Sequence, residues 1–354
     1  VKTALTSVDD EINGLAQAYA DKIAPTLQAG KANGDKNSRL DVEIRHSKTG
    51  LTWMSFLVQA RTTYHRDLIA QEFTSRTFDM TTGERILLTD IFPEGSEGWT
   101  MLREKLKALN PAVLTNDARV DAIITKLRGC RDNQQWLAWL KDGVNYKFDA
   151  AENAQDVRLI DYEDIDANDW WVTNQFSIDG KSTRRPDIVL LINGIPIVVI
   201  EAKTASRSKP DWREGAKQLG MYAEEIDQLF YTNAYGVGVN ETRMMYGVPG
   251  RRLQFWLQWR DPWPHEIDEF DEMKVSLYGL FDRGNLLDFI RHFIVFVTKD
   301  GKTEKVVVRY QQYLAVKDIL NRATDLTLPA EKRRGLIWHT QGSGKSLTMI
   351  YAAL

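Results

Sequence analysis

The sequence contains a single cysteine, Cys130, in 354 residues. An internal disulfide and a cysteine-built metal cluster are therefore excluded, and the scarcity fits a reducing compartment. Histidine is also sparse at 5 residues, and His65, His265 and His292 show no metal-ligand spacing. Surplus charge is missing too. With 46 Lys+Arg against 49 Asp+Glu the net charge is −3, which argues against bulk-charge binding to nucleic acid but leaves room for a local basic groove. No apolar run can span a bilayer: the longest, Ile188 to Ile200, is broken by Asn193, Gly194 and Pro196. No signal peptide, internal repeat or low-complexity tract is recognisable.

What remains is core-forming composition, 43% hydrophobic and 27% charged, over a length that at roughly 150 residues per domain allows two to three domains. The chain opens on Val1 and stops at Leu354 inside a helical pattern, which has the appearance of a fragment. Three regions are expected, giving a multi-domain α/β and α+β protein. Residues 1–100 read as one helix, with Ser7 as N-cap and Val8, Ile12, Leu15, Tyr19 and Ile23 on one face, followed by a β-meander. Residues 101–270 begin with helical stripes (Met101, Leu102, Leu106 and Leu109; Val120, Ile123, Ile124 and Leu127; Trp136, Leu137 and Leu140). They then turn strand-rich: VRLID, WWVTNQFSI, DIVLLI and PIVVIEAK, a helix near Trp212 to Ile226, then YGVGV, RMMYG and LQFWLQW. This order suits a mixed sheet with a packed helix. Residues 271–354 read as helices near Leu286 to Phe296 and Tyr310 to Arg322, separated by KDGKTEK, and then a short strand GLIW, a glycine-rich loop and a final helix.

The most chemical stretch is RRPDIVLLINGIPIVVIEAK. A two-residue turn at Asn193-Gly194 would fold the strand behind Asp187 back alongside Glu201. Glu201 and Lys203, two apart on a strand, share a face. Two carboxylates so placed suit Mg²⁺, and the Lys203 ammonium can orient water or stabilise charge on a phosphodiester. A spaced Asp…Glu-x-Lys arises about once or twice by chance in a chain this long, so the weight comes from charged groups closing apolar strands. The same residues admit a purely structural reading, with Asp187 capping a turn and Glu201 paired to Lys203. The indoles Trp256, Trp259 and Trp263 suggest stacking on bases, but strand alternation sends Trp256 and Trp259 to opposite faces, favouring packing.

TQGSGKS, Thr340 to Ser346, carries a Gly-x-Gly-Lys-Ser string expected on the order of once per hundred such chains. In strand–loop–helix context, backbone amides of Gly342, Ser343 and Gly344 converge on phosphates, Lys345 reaches the β/γ-phosphates and Ser346 ligates Mg²⁺. His339 stands where the generic pattern has its first glycine. No acidic pair or arginine finger follows within the sequence, so ATP binding without efficient hydrolysis is the expectation for this stretch alone.

Pro186-Asp187 with Glu201-Ala202-Lys203 resembles the PD-(D/E)xK nuclease superfamily, and Gln218 with Tyr222 resembles its RecB-like branch. The resemblance implies that glutamine and tyrosine support the active site and the DNA backbone. From about Leu106 to Leu354 the strings LNP, WLKDGV, VRLIDYED, QLGMY, LFYTNAYGVG, RYQQYLAV and GLIWHTQGSGKSLTM resemble the restriction (R) subunit of type I restriction–modification enzymes. That resemblance explains His339 and implies Gln312 as an adenine contact. It further implies a cytoplasmic Mg²⁺-dependent endonuclease domain joined to the start of an ATP-driven, RecA-like superfamily 2 motor. It implies double-stranded DNA as substrate and the modification (methyltransferase) and specificity subunits as partners, with no membrane. TFDMTTGERILLTDIF resembles instead the extracytoplasmic domain of lysozyme-sensing anti-sigma factors and some polysaccharide deacetylases. Two other functions stay open at this level: a repair-type helicase–nuclease that processes DNA ends, and a binding module fused to a nuclease remnant.

Overall fold

A computed structural model describes residues 6–32, 39–48, 53–64, 67–79, 85–86, 97–174, 178, 181, 184–203, 211–240, 242–267, 271–339, 341 and 343–353. In the first region α1 (Thr6–Ala32) precedes an antiparallel sheet in sequential order, β1 (Arg39–Lys48), β2 (Trp53–Tyr64), β3 (Asp67–Asp79) and β4 (Arg85–Ile86). Helix-plus-meander was the expectation. Val8 and Ile12 are buried as their spacing required, but Ser7 lies within the helix rather than capping it.

Three short helices follow: α2 (Glu97–Leu109), α3 (Asp117–Gly129) and α4 (Asn133–Asp142). Asn116 caps α3 by accepting from the Arg119 amide, and Asp132 caps α4 through the Gln135 amide. Gly143 closes α4 at φ 86°, a left-handed conformation that glycine adopts without strain. The apolar stripes read from the sequence are all core here, apart from the half-buried Met101.

A small ribbon, β5 (Val144–Tyr146) with β6 (Gln155–Val157), leads to the central sheet. Its members are β7 (Trp170–Asn174), β8 (Ile188–Ile192), β9 (Ile195–Ala202), β10 (Tyr235–Val239) and β11 (Met244–Gly247), in the order β11-β10-β9-β8-β7. Only β9 and β10 run parallel, because α5 (Trp212–Glu225) joins them as a crossover. One face packs on α5 through Val189, Leu191, Val199, Leu219 and Trp256. The other packs Val198, Ile200, Val237 and Tyr246 against the helical layer. Trp256 and Trp259 do go to different faces and are buried, whereas Trp263 is half exposed.

The rest comprises α6 (Glu272–Phe281), α7 (Arg283–His292), the hairpin β12 (Ile294–Lys299) with β13 (Lys302–Val307), α8 (Tyr310–Thr324) and α9 (Lys345–Ala353). Phe289, Phe293, Tyr313 and Tyr351 join the same apolar cluster as the second sheet face. Tyr246 on β11 donates to the Val308 carbonyl at 2.6 Å, tying the sheet to the start of α8.

Several local expectations fail. VRLID is strand only at Val157, and LQFWLQW is a 3-10 turn at Leu253–Phe255 with a lone bridge from Leu257 to Tyr246. The helix expected to reach Phe296 stops at His292, where a β-branched and aromatic run takes over as β12. KDGKTEK is the turn and second strand of that hairpin, and α6 was missed. GLIW forms no strand: among the described residues nothing pairs with it, and Leu336 and Trp338 are 84% and 87% exposed.

Candidate active site

Asn193 and Gly194 form the hairpin turn at φ 54° and 80°, the pair of positive values a two-residue turn of this twist needs. Asn193 also anchors the turn. Its side chain is buried and donates to the Leu159 carbonyl at 2.8 Å and to Asn168 Oδ1 at 2.9 Å, while accepting from the Asp169 amide at 2.8 Å.

The register then changes within β9. Ile192 faces Ile195 and Leu191 faces Pro196, yet Leu190 faces Val198, so Ile197 is an extra residue, a bulge. Proline, which has no N–H for the ladder, sits beside that irregularity. Beyond it Ile188 faces Ile200, and continuing the register sets Asp187 opposite Glu201. Without the bulge Asp187 would face Ile200 instead.

Asp187 Oδ2 accepts from the Ala202 amide at 2.8 Å, which fixes its carboxylate at the end of β9. Glu201 is 2% exposed, and its Oε1 accepts from Lys203 Nζ at 2.8 Å. The same ammonium donates to Gln218 Oε1 at 2.5 Å, and the Gln218 amide donates to the Tyr222 hydroxyl. Gln218 and Tyr222 lie one turn apart on α5, on the face that covers the sheet. Asp187, Glu201, Lys203, Gln218 and Tyr222 are therefore brought together in one chain of contacts.

The electrostatics follow from depth. Burial pushes the Glu201 carboxyl up to about 7, with Asp187 adding to the rise and the Lys203 hydrogen bond opposing it. Burial also raises the Tyr222 phenol. Glu201 Oε2 is buried with no hydrogen-bond partner among the described residues. An orphan carboxylate oxygen is costly inside a protein, and a divalent cation is the partner that hard oxygen donors select. Among the described residues no group of three or more His, Cys, Asp or Glu is placed to hold a metal ion, so the acidic donors at this point are the Asp187–Glu201 pair.

In the glycine-rich loop, Gly342 and Thr340 lie outside the described residues. Lys345 opens α9 and donates to the His339 carbonyl at 2.8 Å across the loop, and Ser346 is exposed in the first turn. Gln312 is 2% exposed. Its amide donates to the Ser343 and Gly344 carbonyls at 3.2 and 3.0 Å, and its oxygen accepts from the Arg309 amide at 2.9 Å. It thus spans from the cap of α8 to the loop, and its whole amide is used on protein. Gly344 has φ 83°, and a Cβ there would stand 2.3 Å from Gln312 Nε2.

Residues 63–254 match the family described as type I restriction enzyme R protein N terminus, a span holding every member of the carboxylate–lysine chain. The chain belongs to the type I restriction enzyme R protein family. Residues 311–354 match the family described as SWI2/SNF2 ATPase, which takes in Gln312 and the loop. Relatives include the endonuclease subunit of the MjaVIIIP type I restriction enzyme of Methanocaldococcus jannaschii, 31% identical over 261 residues, covering 72% of this chain and 25% of the relative. The endonuclease subunit of the HindI type I restriction enzyme of Haemophilus influenzae is 31% identical over 277 residues, covering 71% and 25%. The chain thus spans about a quarter of the length of these curated relatives. The R-protein match begins well before Leu106, and so takes in β3 and β4 of the meander that the sequence had assigned to a separate unit. No described helix is long and apolar enough to cross a membrane.

Sequence reasoning missed two supporting features. One is the bulge, signalled only by Pro196 inside an apolar run. The other is Gly215, whose Cβ would lie 2.8 Å from the Glu201 carbonyl, so that α5 can rest on the backbone of the site strand.

Proposed function

We propose that this chain carries the endonuclease centre of a type I restriction R subunit and cleaves double-stranded DNA in a Mg²⁺-dependent reaction. The observation that carries the reading is the buried, half-orphaned Glu201 carboxylate, with Asp187 opposite and Lys203 in contact. Asp187 and Glu201 would hold the ion. When bound, the ion lowers the pKa of a coordinated water and neutralises phosphodiester charge. Lys203, held by Glu201 and Gln218, presents its ammonium to the scissile phosphate and stabilises the negative charge that grows there. Gln218 fixes that ammonium through its oxygen and is itself oriented by Tyr222, so the α5 pair sets where the positive charge sits.

In the full-length protein this cleavage would be coupled to ATP-dependent DNA translocation in the cytoplasm, with modification and specificity subunits supplying site recognition. The loop at 342–346 would take the ATP phosphates, with Lys345 and Ser346 in the roles the motif gives them. Gln312 holds Ser343 and Gly344 in place, and contact with adenine would require one of those bonds to exchange.

The test is Asp187→Ala in the assembled full-length enzyme. Cleavage is expected to fall at least 100-fold while ATP-driven translocation persists. Cleavage at the unsubstituted rate would sink the reading.

A further inference from the structure

Arg213, Arg243, Arg260 and Arg309 line one cavity of about 450 Å³, in which Glu272 is the sole carboxylate. Such a concentration of positive charge stands out in a chain of net charge −3. Arg213 pairs with Asp211, and Arg243 lies 3.8 Å from Glu272. Arg260 contacts only the neutral Gln258 oxygen, at 3.3 and 3.2 Å, and neither it nor Arg309 makes an ion pair among the described residues. Both guanidinium-bearing residues are exposed. Unneutralised arginines gathered on a concave surface attract anions.

The cavity has a defined place. Its first wall is the start of α5, where the Trp212 carbonyl would lie 2.5 Å from a Cβ at Gly238, the residue paired with Glu201 on the next strand. Arg309, Tyr310 and Gln311 also line it, immediately before the Gln312 that holds the glycine-rich loop. The cleft is therefore lined both by the helix start that abuts the strand beside Glu201 and by the residues that lead into Gln312. Guanidinium forks match phosphate oxygens, and the neutral amides of Gln254 and Gln311 add donors, whereas the Gln258 amide donates to Glu272 at 3.0 Å.

We propose that this cleft seats backbone phosphates of the DNA strand passing between the phosphate loop and the nuclease carboxylates, with Arg260 and Arg309 as the principal contacts. The inference rests on the nuclease reading above, for which it names the path of the substrate.

The experiment measures binding of a fluorescent DNA duplex of about 30 base pairs to the 354-residue chain in EDTA, by anisotropy across a salt series. Arg260→Gln with Arg309→Gln is expected to weaken binding at least tenfold and to reduce the slope of log affinity against log salt by about 2. The corresponding double lysine variant keeps the charge and is expected to stay within a few-fold of the unsubstituted protein. Arg128→Gln with Arg131→Gln, at the cavity beside the β8–β9 turn, controls for loss of charge elsewhere. The proposal is overturned if the 260/309 pair leaves affinity and slope unchanged, if the control pair loses as much, or if the unsubstituted chain binds no duplex. It is equally overturned if the 260/309 variant loses binding of ATP alone and keeps the duplex. The nuclease reading fails separately, through cleavage by an Asp187→Ala enzyme.

Discussion

Gly215 sits directly over the carbonyl of Glu201, so close that a Cβ on it would lie 2.8 Å from that oxygen. The obstacle is backbone, so Gly215→Ala must lift α5 from the strand that carries the site. A cost of about 1–3 kcal/mol is expected, read as a fall in Tm. Cleavage is expected to fall further than stability alone explains, since Gln218 and Tyr222 ride on the same helix. Gly14→Ala, in α1 with nothing within 4 Å, is the contrasting change and should gain up to ~1 kcal/mol.

The Glu201 carboxyl gives a pH dependence with a defined sign. Burial raises it from 4.5 to about 7. Between these values the folded state holds a proton that the unfolded state has released, so stability falls as pH rises, by on the order of 3 kcal/mol across the window. Glu201→Gln should flatten that slope in chemical denaturation. The proposed metal binding would run the opposite way, because the ion needs the ionised carboxylate. Mn²⁺ affinity measured by calorimetry should drop about tenfold per pH unit below 7.

At the glycine-rich loop, Gly344→Ala meets two obstacles at once: a positive φ and the Gln312 amide where its Cβ would go. Fluorescent ATP analogue binding is expected to weaken at least tenfold. Gln312→Ala frees that space but releases both loop carbonyls, so it should weaken binding as well. Unchanged nucleotide affinity in both variants would remove Gln312 from any part in shaping the loop.

Lys305 on β13 has a buried amine that donates to the Asn233 carbonyl at 2.8 Å, and burial lowers its pKa from 10.5 to about 7. From pH 7 to 10.5 the folded state binds fewer protons than the unfolded state, so this group makes the protein more stable as pH rises. Lys305→Met should flatten that rise and leave stability at pH 7 equal or higher, since Asn133 also serves the Asn233 carbonyl. A marked loss of Tm at pH 7 would show that the amine itself is needed to hold the β12–β13 hairpin.

The geometry of the candidate site was more legible than the fold around it, for a physical reason. Asn193-Gly194 specifies a two-residue turn by backbone geometry alone, and Glu201 and Lys203 share a face by strand periodicity, so both can be read locally. Asp300-Gly301 carries the same kind of signal, with φ 50° and 75°, and passed for loop because the apolar run before it looked like the end of a helix. LQFWLQW misled for another reason. Its two indoles do reach the two sides of the sheet, as alternation requires, but Leu253–Phe255 forms a 3-10 turn and Leu257 alone bridges to the sheet. The span from Gln312 to Ser343 and Gly344 crosses 31 and 32 residues, a distance at which no local pattern speaks.

The extra residue at Ile197 makes the β8–β9 hairpin a phase-setter. Deleting it would leave strands, turn and apolar content nearly intact, so the protein could fold and pass every test of bulk stability. Asp187 would then slip one place along its partner strand, and the proposed carboxylate pair would be lost from a structure that otherwise looked unharmed. Length, rather than residue identity, is the quantity this short segment cannot vary.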